Sequence, residues 1–275
     1  MSTTDHYIQI RIENLERGEA DIIIAQLGDE GFDGFEETTP TSLLAYISEQ
    51  LYTQLDWENI QQPHWKCTVE KLAPKNWNAE WEANFQPVEV PGFCMVRAAF
   101  HPPAVNTPYE IIITPKMSFG TGHHATTYMM MQAMQSLDFT NKKVFDFGTG
   151  TGILAILAEK LGADKTVAID NDFWCIENSV ENIAVNNCSK IEISQADTVP
   201  EGAKFDIILA NINKNVLLNT IPQQKHLLSV NGILIMSGLL KGDEEVIVNM
   251  AKNNQLNLVK RWERDNWIAL QFEKC

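Results

Sequence analysis

KVFDFGTGTGILAILAEKLGADKTVAID, residues 143–170, is the stretch from which the fold follows. Val144, Phe145 and Phe147 form a short apolar run that stops at Gly148, Gly150 and Gly152, after which Ile153, Leu154, Ile156, Leu157 and Leu161 recur at helical spacing. A buried strand therefore feeds a helix through a glycine-rich turn. Glycines there let the backbone approach a ligand that a Cβ would push away, and the first turn of the helix presents unpaired N–H groups to it. A second short strand, 166–169, ends at Asp170, twenty-two positions after Gly148. At that point of a nucleoside-binding βαβ unit an acceptor-only carboxylate grips the ribose hydroxyls.

The spacing of the glycines separates the ligands. A phosphate-cradling loop needs a glycine-lysine-serine or -threonine run, which is absent, and a dinucleotide fingerprint needs its third glycine at position 153, which is Ile153. The pattern is GxGxG. Preceded by Asp146 as DFGTGTG, it resembles the first motif of the doubly wound S-adenosylmethionine methyltransferases. The competing readings are a ligand-free turn and a nicotinamide cofactor, and Asp170 in register is what favours the nucleoside.

Composition sets the outer bounds. A chain of 275 residues with 44% apolar content is long for one domain and comfortable for two. Its longest apolar runs fall short of a bilayer span, and the opening MSTTDHYIQI lacks the basic and apolar blocks of a signal peptide, so a cytoplasmic, non-membrane protein is expected. Five cysteines (67, 94, 175, 188 and 275) include no C-x-x-C pair and no histidine at metal spacing, which points to reduced thiols and no metal. The net charge of −15 is uneven: residues 1–66 hold thirteen acids against Arg11, Arg17 and Lys66, a net −10. Such a surface repels nucleic-acid phosphates and attracts basic partners, though a merely solubilising role predicts the same charge.

Residues 1–72 read as strand 7–13, helix 17–30, a break at Gly31 and Gly34, strand 43–48, helix 49–60 and strand 65–72. That order predicts a small α+β sandwich of the ferredoxin type. The basic and aromatic strand signature of RNA-binding modules is missing, so we read it as a protein-binding domain. Residues 73–108, punctuated by prolines at 74, 87, 91, 102, 103 and 108, read as a linker. Within it NWNAEWEANF sets Trp77, Trp81 and Phe85 at i, i+4 and i+8, a short helix whose stripe packs on a neighbouring domain.

Residues 109–275 form the second domain. Strand 109–114 leads to the turn at 119–122 and to a helix from Ala125 with Met129, Ala133, Met134 and Leu137 facing a core. His123 and His124 are adjacent and do not face the same way, which disfavours a metal site; Thr126 and Thr127 either reach the cofactor's methionine end or cap locally. Beyond the nucleoside unit come helix 173–186, strand 191–194 with Asp197 after it as a candidate for the adenine amine, and strand 205–210 ending in Asn211-Ile212-Asn213. A helix to 228, strand 232–236, helix 243–253 and strands 256–261 and 267–272 follow. The last two read as a hairpin, completing a doubly wound seven-stranded sheet with one reversed edge.

FGTGHHATT (119–127), DFGTGTG (146–152), AID (168–170), ANI (210–212) and the NWNAEWEANFQPV connector together resemble the PrmA family, the methyltransferases of large-subunit ribosomal protein L eleven (L11). The resemblance runs end to end and is strongest over 109–240. It implies a substrate-recognition domain joined by a mobile helical linker to a class I methyltransferase domain. It further implies S-adenosylmethionine as cofactor and methylation of the α-amine and lysine amines of a basic ribosomal protein. Thr127, Gly148, Asp170 and Asn211 fall on the family's cofactor contacts, with Gly150 in the same glycine motif. His123 stands where the family usually has threonine, and Ala125 where it usually has proline. From its own chemistry Asn211, at a strand's carboxyl end, either accepts from the acceptor amine's N–H and aims the lone pair or caps the next helix. A same-fold enzyme acting on another protein or a small molecule, and a cofactor-binding module without catalysis, stay open at this point.

Overall fold

The computed structural model describes residues 7–16, 19–32, 34–72, 85–116, 119–198 and 202–275. The chain divides into two compact units, Met1–Asn84 and Phe85–Cys275. Trp77 and Trp81 of the aromatic stripe lie outside the described residues.

The first unit is built on alternation. In β1 (Tyr7–Glu13) Ile8, Ile10 and Ile12 are buried, while Tyr7, Gln9, Arg11 and Glu13 on the other face are half-buried. With β2 (Gly34–Thr39), β3 (Ser42–Ser48) and β4 (Lys66–Lys71) it forms a four-stranded sheet in the order β2-β3-β1-β4, every pair antiparallel. Ile23 and Leu27 of α1 (Ala20–Asp29) close the core against Leu43, Ala45, Ile47 and Trp65. The helix expected over 49–60 is two short ones, α2 (Glu49–Tyr52) and α3 (Trp57–Ile60). At the break Thr53 Oγ1 donates to Gln50 O (2.8 Å), competing for a helix carbonyl, and Asp56 Oδ2 accepts from the side-chain amide of Asn59 (2.6 Å).

In the second unit β5 (Val88–Val90), β6 (Cys94–Ala98) and β7 (Tyr109–Ile113) form a three-stranded sheet of their own. Residues 85–108 therefore fold with this unit and are not a bare linker, and the strand from Tyr109 joins this small sheet. The prolines at 87, 91, 102, 103 and 108 all lie outside the strands, so they exclude long elements and delimit short ones.

The main sheet contains β8 (Lys143–Phe147), β9 (Lys165–Asp170), β10 (Ile191–Gln195), β11 (Phe205–Asn211), β12 (Leu228–Leu240), β13 (Leu256–Arg264) and β14 (Trp267–Lys274), in the order β10-β9-β8-β11-β12-β14-β13. The first five are parallel, and β14 runs antiparallel to both its neighbours. The reversed strand is thus internal, not the edge expected from sequence. Burial explains the choice: Ile268, Ala269, Leu270 and Phe272 of β14 are fully buried, whereas β13 is largely exposed and takes the rim. Alternate residues of one strand feed opposite cores. In β11 Ile207 and Leu209 pack with α4 (Ala125–Gln135) and α5 (Ile153–Lys160), while Ile208 and Ala210, with Phe145 of β8, pack with α7 (Lys214–Leu227) and α8 (Glu244–Asn253). α6 (Phe173–Val185) completes the crossover between β9 and β10. The strand order reverses at β8, and the crevice outside the carboxyl ends of β8 and β11 is where such a sheet takes a ligand. No helix among the described residues is long and apolar enough to cross a membrane.

Candidate functional site

The glycine turn sits on that crevice. Gly148, Gly150 and Gly152 have φ of +76°, +55° and +78°, a conformation that a side chain resists. Their need for glycine comes first from the protein itself. A Cβ on Gly148 would stand 2.3 Å from Ile212 Cγ2, and one on Gly150 would stand 2.3 Å from Phe119 O. The N–H groups of Gly148 and Thr149 both donate to Ile169 O at 2.9 Å, and the Thr149 hydroxyl donates to Asp146 Oδ2 at 2.6 Å. Complete burial pushes the Asp146 carboxyl up to about 7, opposed by the Thr149 hydrogen bond and reinforced by the Asp170 charge.

Asp170 closes the turn from the second strand. Its Oδ2 accepts from Gly150 N (2.9 Å) and its Oδ1 from Asp172 N (3.0 Å). Each oxygen keeps a second lone pair, so the carboxylate is fixed and still able to accept from two vicinal hydroxyls. Gly148, Asp170, Asn171, Asp197 and Ile212 line a cavity of 190 Å³. Asp197 thus joins Asp170 at one site, and Gly150 acts behind it through its N–H.

A second cavity, 350 Å³, is lined by Phe119, His124, Thr126, Asn211, Ile212, Asn213, Gly238 and Trp267. Ile212 and Asn213 belong to both cavities. Asn211, at the end of β11, donates through Nδ2 to Thr127 Oγ1 (3.2 Å), while its buried Oδ1 has no hydrogen-bond partner. A buried carbonyl oxygen left without a donor costs about 1–3 kcal/mol. Thr127 lies behind Asn211 rather than on the cavity, and Thr126 is the threonine that lines it. Asn213, not Asn211, caps α7, its side chain accepting from Val216 N at 3.1 Å. His124 caps α4, with Nδ1 accepting from Thr126 N (3.3 Å), and its ring meets Trp267 at 4.8 Å and Phe119 at 5.2 Å.

Gly238 and Trp267 were missed in the sequence. Gly238 has φ +84° at a register shift of β12, and a Cβ there would stand 2.2 Å from Ile212 O. An isolated glycine in an apolar strand was the available signal. Also missed was a ladder of buried asparagines along α6 and its end. Asn182 accepts from Thr114 N (2.7 Å) and donates to Thr151 O (2.8 Å), Asn186 pairs with both backbone groups of Ile112, and Asn178 donates to Thr114 O (2.9 Å). Ser179 donates to Gly150 O at 2.6 Å, so α6 ties the end of β7 to the glycine turn. Their spacing of four was the legible sign.

Comparison with known proteins agrees with this geometry. The sequence profile described as Ribosomal protein L11 methyltransferase (PrmA) matches residues 10–275. A ribosomal protein L11 methyltransferase of Porphyromonas gingivalis is 40% identical over 261 residues, covering 92% of this chain and 90% of the relative. One of Chlorobaculum parvum is 37% identical over 287 residues, covering 98% of this chain and 97% of the relative. The crystal structure of a ribosomal protein L11 methylase from Lactobacillus delbrueckii subsp. bulgaricus superposes with a TM-score of 0.65 at 28% identity, covering 70% of this chain and all of the other. The chain belongs to the ribosomal protein L11 methyltransferase (PrmA) family.

Proposed function

We propose that this chain transfers methyl groups from S-adenosylmethionine to the α-amine and lysine amines of ribosomal protein L11. The observation that carries the reading is Asn211, which lines the aromatic cavity and directly precedes Ile212 and Asn213 on the wall common to both cavities. The cofactor's nucleoside belongs in the cavity of Gly148, Asp170 and Asp197, and the acceptor amine in the aromatic one. When bound, S-adenosylmethionine supplies an electrophilic methyl group. The chain's own task is to hold a neutral amine in line and exclude water. Thr127 fixes the Asn211 amide so that Oδ1 remains free to accept from the amine's N–H, which turns the nitrogen lone pair toward the methyl group. Thr127 therefore contributes to the site through Asn211, and Gly150 through Asp170. An α-amine with a reference pKa of about 7.7–8.0 is partly neutral at physiological pH, whereas a lysine at about 10.4 has to be neutralised by the desolvating walls of Phe119, Ile212 and Trp267.

The first unit has the strand order and all-antiparallel pairing of a ferredoxin-type fold, which supports its reading as the substrate-recognition domain. Its net charge of −10 over residues 1–66 suits a basic protein partner and not direct nucleic-acid contact, in a cytoplasmic setting. Purified chain incubated with L11 and S-adenosylmethionine should give methyl increments on L11 by mass spectrometry. A chain that binds the cofactor yet leaves L11 unmodified would overturn the reading in favour of another acceptor or a module without catalysis.

A further inference from the structure

Building on that function, we infer that His123 is a positioning residue for transfer to the intact protein substrate, coupling the point where the chain enters the second unit to the loop that walls the acceptor cavity. His123 Nε2 lies 2.8 Å from Gln86 O. A carbonyl only accepts, so Nε2 carries the proton, and in the neutral ring Nδ1 is left to accept from the Thr121 hydroxyl at 3.1 Å. The same ring meets Phe85 edge-on at 4.8 Å. From another loop His101 stacks on Phe85 at 6.0 Å, donates from Nε2 to Phe85 O (2.6 Å) and accepts at Nδ1 from Ala98 N (3.1 Å). Two imidazoles thus hold the carbonyls of the first two residues of this unit, beyond which the chain runs back to the acidic first unit.

The other end of the coupling is the 119–124 loop. Phe119 O and Gly120 O accept from Thr151 N (3.0 Å) and Thr151 Oγ1 (2.7 Å), and Phe119 and His124 line the aromatic cavity. A shift at Gln86 is therefore passed by one side chain to a loop that touches both the glycine turn and the acceptor cavity. A threonine hydroxyl, attached at Cβ, ends well short of the position of the imidazole Nε2. His123 gives this chain a connection that the threonine implied by the family resemblance does not.

The test compares H123A, H123T and H123Q with the parent protein, using calorimetry for S-adenosylmethionine and initial rates on two acceptors. One acceptor is intact L11; the other is a short peptide with a free α-amine, which occupies the cavity without engaging the first unit. H123A and H123T are expected to bind cofactor within about twofold of the parent and to lose about three- to tenfold in kcat on L11, the range for one exposed hydrogen bond, with peptide rates unchanged. In H123Q the amide nitrogen reaches Gln86 O, and at least half of the lost rate should return. Equal losses on peptide and L11, or no loss on L11, would overturn the inference. Failure of the proposed function itself is seen separately, in a parent protein that binds cofactor and methylates neither acceptor.

Discussion

Asp146 shows how much one buried carboxyl can govern. Its folded-state pKa of about 7 lies above the ordinary 3.8, so between those values the native state keeps a proton that the unfolded chain has released. The sign follows: its contribution to stability is full below about pH 4, falls as pH rises toward 7 and is flat beyond. Chemical denaturation of the ligand-free protein between pH 4 and 8 should show this decline, and D146N should flatten it. A cationic cofactor over the turn favours the carboxylate, so cofactor affinity should rise with pH through 7 in the parent and lose that dependence in D146N. At Asp170 the loss is electrostatic. D170A should weaken S-adenosylmethionine binding by about 1.5–3 kcal/mol, the scale of charge-assisted hydrogen bonds, with calorimetry as the check. Asn211 and Thr127 separate chemistry from binding: N211A should lower single-turnover rate far more than stability, and T127V should lower it less, because Oδ1 survives with a looser orientation. A wild-type single-turnover rate in N211A would end its assignment.

Elements, more than residues, decided what was legible in the sequence. The glycine turn and Asp170 could be read because a nucleoside fixes their spacing within one βαβ unit, whatever the rest of the chain does. The aromatic cavity could not be read, since Phe119, His124, Asn211, Gly238 and Trp267 come together only once β12 and β14 are placed. The internal position of β14 was equally hidden: period and composition identify a strand but not its neighbour, and here relative apolarity decided which strand of the hairpin is covered. The prolines of 85–108 misled because they bound strands as readily as they forbid them. The glycines carry a graded prediction. At Gly92, with φ +69° and open space for a Cβ, alanine should cost only the left-handed backbone strain of about 1–2 kcal/mol. At Gly238 the Cβ meets the backbone of Ile212, so G238A should lower the melting temperature more and also slow transfer, by displacing the wall common to both cavities.

For the whole molecule the question is how charge is divided. The first unit holds most of the net negative charge, while every group named in the candidate site lies in the second. A chain beginning at Phe85 should therefore bind S-adenosylmethionine normally and methylate intact L11 poorly. The full chain should lose L11 affinity as salt shortens the Debye length from about 10 Å at 0.1 M to about 3 Å at 1 M. Salt-insensitive kinetics would reduce the charge to a solubilising role. The main sheet has a further consequence. β14 follows the other six strands of its sheet in chain order yet is seated between β12 and β13. During vectorial synthesis the sheet must therefore wait, with β12 unpaired on one side, until residues 267–274 have left the ribosome. Because Trp267 opens that strand, the aromatic cavity is completed only when β14 is inserted, after the strand and helix that flank the glycine turn have been made.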